Sequence, residues 1–411
     1  MTGVVVAVVV LLVAAGVVLA LAVPWRTPPR PSRSAQRAAL GRLSADQVAR
    51  GRALAAELRP LRYAGLLVEL ATVLLLGLTP AAARLVTAIG GYRLVSAVGG
   101  GLVLAAVVQL VGVPFAARRR AVLRRYGLIT QGWLGWLGDL GRGAVVGVVL
   151  VGGALAGFFA ATLAWPRTWW VPVGAAAAVL TVLLTMVFPL LVEPLFHRFR
   201  PMPDSPLRTR LLAQAAADRV RISAVLVADA SRRGTAVNAY VSGLGPTRRI
   251  VVYDTLLSAA PDAETRLVVA HELGHARYHD VPMGALLGAL GAAAGCCLLF
   301  VFGAWSAPFG WAGATGWSDP RSVGLLFALV TVAQLVLGPA ANLVSRRLEA
   351  RADDHALRTT GDPETFAAMQ ARLAVRNRSD VDPGRVEQAL FGTHPSTVQR
   401  LAAADAYRDK R

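Results

Sequence analysis

The residues most able to do chemistry stand in the order His271-Glu272-Leu273-Gly274-His275, an H-E-x-x-H run on an apolar, helix-forming stretch that begins at Val268. Histidines four apart fall on one helical face, so both imidazoles can reach one cation. Glu272 between them can sit beside the open metal position and take a proton from water. A catalytic zinc ion needs a third protein ligand and leaves its fourth position to water. The known extension of the motif, a glycine and then a third histidine, is missing, because Tyr278 and Val281 occupy those places. Downstream comes Ser345-Arg346-Arg347-Leu348-Glu349-Ala350-Arg351-Ala352-Asp353. Glu349 is the natural third ligand. Asp353, one turn later on the same face, is placed to accept a hydrogen bond from a ligand histidine and fix its tautomer. His279 competes for the third position with weaker support, and is expected instead to cap the helix end with Asp280 or to stand behind the ligands. His197 and His355 read as surface or packing histidines.

These residues must be held by a chain whose composition is unlike that of a water-soluble domain. Of 411 residues, 55% are hydrophobic and 16% charged, against about one quarter charged in a soluble protein. Disorder is excluded by the same balance. The apolar excess is Val, Leu, Ala and Gly, which suits closely packed transmembrane helices. Seven stretches approach the roughly 20 apolar residues that a bilayer requires: Val4 to Val23, Ala64 to Leu78, Leu94 to Phe115, Ala144 to Trp165, Val171 to Leu195, Met283 to Trp305 and Val323 to Leu343. The second is the shortest and carries Glu69, which either faces a cavity or lies near an interface. The first lacks a basic leader before its apolar run, so an uncleaved span is expected.

Net charge is +19, and all but one of the 43 basic residues are arginine. They sit in blocks between the apolar stretches, the pattern of topology signals, with no nucleic-acid motif beside them. Nucleic acid is therefore not an expected partner. Nine arginines lie between Pro24 and Arg62 and six between Ala116 and Arg142, while the alternate loops carry one or two. That alternation places the N-terminus outside and the catalytic segments inside. The adjacent Cys296 and Cys297 lie in an apolar run and suit neither a disulfide framework nor a metal knuckle.

The chain then divides into five spans over residues 1–195, a first catalytic segment at 196–282, two spans at 283–343, and a second catalytic segment with the tail at 344–411. Within the first polar segment Leu207 to Val220 reads as helix. Ala224 to Val227, Thr235 to Val241 and Ile250 to Tyr253 read as short strands, the last two joined as a hairpin through Gly243-Leu244-Gly245-Pro246.

Several strings in this order resemble the integral-membrane zinc metallopeptidases of the type-one CAAX prenyl protease family, the a-factor-converting and prelamin-processing type. They are Pro194-Leu195-Phe196-His197-Arg198-Phe199, Asn238-Ala239-Tyr240, Arg249 to Leu257, the H-E-L-G-H helix, S-R-R-L-E-A-R-A-D, and His394-Pro395-Ser396 with Arg400 six residues after its histidine. The resemblance implies a mainly α polytopic membrane protein, with seven transmembrane helices around a chamber. An inner-side gluzincin-type zinc domain would carry the small β-hairpin. It implies one Zn2+ per chain on His271, His275 and Glu349, with Glu272 as general base. Asn238, Ala239 and Tyr240 would align the substrate main chain by strand addition. His394 and Arg400 would stabilise the oxyanion. The expected partners are a prenylated or membrane-associated peptide and membrane lipid. The preference for arginine over lysine points to a GC-rich bacterial genome, hence to a bacterial plasma membrane.

Two other readings remain open at this level. An HtpX-like quality-control protease would share the chemistry but usually has fewer spans before its motif. A transporter or scaffold with a fortuitous motif would not explain why Glu349 and Asp353 recur at the right spacing on the same side of the membrane.

Overall fold

The structure, a computed structural model, describes residues 1–410. Among them, seven helices are long and apolar enough to cross a membrane: Thr2–Ala22, Ala45–Leu78, Arg93–Arg125, Trp133–Ala164, Trp170–Phe196, Asp280–Phe302 and Pro320–Thr360. Each contains most of one expected apolar stretch. Several run far beyond it. Ala45–Leu78 has 34 residues, starts on a Ser44/Gln47 capping box and extends for about 50 Å. Its basic first half therefore projects past any bilayer core. The helix Val323–Thr360 likewise continues through Pro339 without a break and carries Glu349 and Asp353 on its far end. The last span and the third ligand thus belong to one rod.

Spans two and seven cross closely because both present small residues at the contact. A β-carbon placed on Gly324 would come within 2.6 Å of the Leu76 carbonyl oxygen, and one on Gly77 within 2.5 Å of the Ala328 methyl. Gly324→Val is therefore expected to push the helices apart at a cost of about 1–3 kcal/mol. A lowered melting temperature of the detergent-purified protein would show it, and an unchanged one would refute the crossing. At one end of the bundle, Phe158, Trp169, Phe309 and Trp317 pack edge-to-face with ring centroids 4.9–6.5 Å apart. Between spans two, three, four and seven lies a cavity of about 670 Å3, and Glu69 and Gln109 line it. Glu69 accordingly faces a cavity rather than lipid alone.

The polar segments form a second layer with its own core around Leu211, Ile250, Val252, Leu267, Val269, Phe366 and Leu401. Its sheet has four strands: β1 (Phe199–Pro201), β2 (Ala224–Ala228), β3 (Ala239–Ser242) and β4 (Arg249–Tyr253), in the order β1-β2-β4-β3. β3 and β4 form the expected antiparallel hairpin, while β2 and β4 run parallel. β1 is not apparent in the sequence: it is three residues long and ends on a proline, which the sheet tolerates because β1 is an edge strand. β3 also starts four residues later than expected. Thr235 donates instead to the Leu128 carbonyl, and Gly234 bridges to Ile129 in the loop between spans three and four.

Candidate metal centre

The helix Asp262–Arg277 carries both motif histidines. Acidic residues in its first turn and basic ones in its last favour the helix macrodipole. Its middle is buried on nearly every side, with Val268, Val269, Ala270, His271 and Leu273 all inside. The helix packs along the far end of Val323–Thr360, where Gly274 lies against Ala352 and His355. That contact brings Glu349 to the histidines. Their Nε2 atoms are 3.3 Å apart. Glu349 Oε2 is 3.2 Å from His271 Nε2, and Oε1 is 3.5 Å from His275 Nε2. Among the described residues this is the one group of three or more histidine, cysteine or carboxylate side chains that could hold a metal ion, with all ligand atoms within 4.8 Å of one another.

Each imidazole is backed by its own carboxylate. Asp353 Oδ1 is 2.9 Å from His271 Nδ1, and Asp280 Oδ2 is 2.7 Å from His275 Nδ1. Each aspartate accepts the Nδ1 proton, which leaves Nε2 to present its lone pair. Two such lone pairs then face each other beside Glu349 Oε2, a buried oxygen with no hydrogen-bond partner. Such close electron pairs repel unless a cation lies between them, a proton in the metal-free site or a metal ion in the loaded one. The donor set fits a zinc ion, for which two histidines and a glutamate are an established catalytic combination. Burial works against the imidazolium of His275, but Asp280 and Glu349 more than offset it and push its pKa up to about 10. A metal cation would meet the same negative field. Glu272 is half-buried, and burial pushes its carboxyl above the usual carboxylate range.

Asp280 had no signal in the sequence. Five residues after His275, it could not share that helix face had the helix continued. The helix instead ends at Tyr278, and His279 takes a left-handed conformation with φ of 58°. The chain reverses there and the next helix starts at Asp280, which points back at His275. His279 itself is exposed and contributes no ligand atom. Asp280 also pairs with Arg351, whose guanidinium lies 4.7 Å above the Tyr278 ring. Replacing Asp280 by alanine is expected to weaken zinc binding by about 10–100-fold. Competition with a chromogenic chelator measures this directly; affinity equal to wild type would deny Asp280 its role. His355 is buried against Asp218 and Tyr278, a packing residue.

The remaining expected residues fall around this centre in different ways. His394 Nε2 is 3.3 Å from Glu349 Oε1, and its Nδ1 is 2.8 Å from the Thr393 hydroxyl. Its side chain is 55% exposed, so it stands at the rim, and the helix cap that follows is made by Ser396. Arg400 is partly buried on the Nδ1 side of His271, where Nε and Nη2 both donate to Asp353. Those hydrogen bonds go to the carboxylate that orients His271, not to the side bordered by His394. Ala239 and Tyr240 lie on β3, an edge strand packed against the motif helix. The Asn238 carbonyl accepts from Tyr253 N at 3.0 Å, and the Tyr240 hydroxyl is hydrogen-bonded to Glu193 at the end of span five.

Residues 204–408 match the family model of peptidase family M48, and residues 60–198 match that of the CAAX prenyl protease N-terminal region, five membrane helices. The chain belongs to peptidase family M48. Family M48 peptidases are metallopeptidases, so the donor cluster answers to a metal, and this one is a multi-pass membrane protein. The M48 chain is 25% identical over 313 residues to the uncharacterised metalloprotease YhfN of Bacillus subtilis, an alignment covering 74% of this chain and 72% of that one. It is 29% identical over 245 residues to the CAAX prenyl protease 1 homologue of Arabidopsis thaliana, covering 57% of this chain and 55% of the plant protein. The chain thus spans about half the length of such curated relatives. The crystal structure of S. mikatae Ste24p shares its fold, with a TM-score of 0.79 and 20% identity over 92% of both chains.

Proposed function

We propose that this M48 chain is a zinc endopeptidase of a bacterial plasma membrane. It holds one Zn2+ on His271, His275 and Glu349 and hydrolyses peptide bonds of membrane-associated or lipidated peptides on the cytoplasmic side. The observation that carries this reading is the convergence of two carboxylate-backed Nε2 atoms on the unpartnered, buried Glu349 Oε2. When bound, the ion supplies Lewis acidity and makes water acidic enough to ionise near neutral pH.

The chain's own residues do the rest. Glu272 accepts the proton of the attacking water on its carboxylate and passes it to the leaving amine, a transfer that its raised carboxyl pKa favours. The free edge of β3 aligns the peptide main chain through strand-like hydrogen bonds. With Thr393 donating to its Nδ1, His394 keeps its proton on Nε2 and can donate to the oxyanion. Arg400 holds Asp353, and Asp353 holds His271.

The test supplies one peptide, prenylated and unprenylated, to detergent-purified protein, with Glu272→Gln as the blank. Cleavage of both forms by wild type alone supports general processing of membrane-associated peptides. Strict preference for the prenylated form narrows the substrate to the CAAX type. Equal cleavage by the blank would refute the assignment.

A further inference from the structure

Behind the metal centre, and walled off from it by Asp353 and Arg400, lies a second cavity of about 1070 Å3. None of His271, His275, Glu349 or Glu272 lines it. Its walls come from the linker after the first span, the far end of Val323–Thr360, the loop before Arg385–Phe391, and the C-terminal helix Thr397–Arg408. Arg30, Arg33, Arg37, Arg346, Arg347 and Arg385 all face it, and among the described residues none of the six has a carboxylate partner. Of the three acidic side chains in the wall, Asp353 is engaged by Arg400 and Asp354 by Arg358 at 2.8 Å. Only Asp382 is left.

Basic residues at the inner end of a span are ordinarily topology signals that point into water. Arg30, Arg33, Arg37 and Arg385 keep exposed surface in this way, whereas Arg346 and Arg347 are half-buried. Arg30 comes near enough to Arg346 and Arg347 for the charges to repel. Arg346 is drawn inward, donating to the carbonyls of Gln388, at 3.0 Å, and Gly392. Arg347 Nε is buried without a hydrogen-bond partner. Gathering like charges around a partly enclosed space is unfavourable unless an anion joins them. Leu343, where the last apolar run ends, belongs to the same wall, which sets the cavity at headgroup depth.

We propose that this cavity binds the phosphate of an anionic lipid headgroup, from the leaflet that faces the catalytic layer. Guanidinium groups suit this ligand, since their planar fork matches phosphate oxygens in pairs. Basic pockets on the cytoplasmic side of membrane helices are known to take such headgroups. The site does not depend on peptidase activity.

The full-length protein in nanodiscs of phosphatidylcholine with a minority of phosphatidylglycerol provides the test, with retained lipid counted by native mass spectrometry. Wild type should retain phosphatidylglycerol over phosphatidylcholine. Arg30→Gln/Arg347→Gln should weaken retention at least tenfold, since each direct guanidinium–phosphate contact is worth about tenfold. Arg33→Gln/Arg37→Gln, confined to exposed linker positions, gives a second variant should the first fail to fold. Arg118→Gln/Arg119→Gln removes the same charge from exposed sites at the inner end of span three and should leave retention within about twofold. Equal losses in the cavity and control variants would mean diffuse attraction and overturn the proposal. So would indifference between the two lipids. Preferential filling by dissolved pyrophosphate, or by an acidic peptide, with no retained phosphatidylglycerol would also overturn it.

Discussion

Glu272→Gln is expected to keep its zinc and to lose roughly a thousandfold in peptide hydrolysis, within the range that a general acid–base contributes. The substitution preserves volume and removes only the capacity to accept a proton. Glu272 supplies no ligand atom to the metal group, whose members are His271, His275 and Glu349. Zinc content should therefore remain that of wild type, and the metal-dependent rise in melting temperature should persist. The loss should appear in kcat, because the proton transfer belongs to the reaction rather than to peptide binding. A variant that hydrolyses peptide at the wild-type rate would remove Glu272 from the mechanism.

Glu349→Ala should lose metal and activity together. It deletes one of three ligands, so zinc affinity should fall by more than the roughly hundredfold that loss of an outer partner can cost. Asp353 and Asp280 would still orient the two imidazoles, leaving a two-histidine site with no third donor. Because a ligand that binds only the folded state stabilises it by mass action, wild type should melt lower after chelation, whereas Glu349→Ala should melt alike with and without chelator. Retention of tight zinc by this variant would place the third ligand elsewhere. The contrast between the two variants separates proton transfer from metal binding at neighbouring positions.

What could be read in advance depended on whether a relation was local in sequence. His271 and His275 are one helical turn apart, so their shared face follows from periodicity alone. Glu349 and Asp353 repeat the same spacing just past the seventh apolar stretch, and the arginine pattern put them on the same side as the histidines, as the packing of the two helices requires. Asp280 was invisible because its approach to His275 depends on the left-handed turn at His279. β1 was invisible because three residues ending in proline carry no alternation. The late start of β3 reflects pairing of Gly234 and Thr235 with a loop more than a hundred residues earlier. Arginine blocks marked which loops are basic, but nothing in them foretold that Arg30 would meet Arg346 and Arg347 across a cavity. The place of Arg400 is likewise tertiary: its partner Asp353 lies 47 residues away on another helix.

The most direct measurement takes one preparation of detergent-purified wild type and determines both zinc per chain and hydrolysis of a peptide, before chelation and after zinc is restored. One zinc per chain, with hydrolysis that disappears on chelation and returns on reloading, is the expected result. A folded, zinc-loaded protein that cleaves no peptide, or hydrolysis undiminished once the zinc is gone, would contradict a zinc peptidase centred on His271, His275 and Glu349.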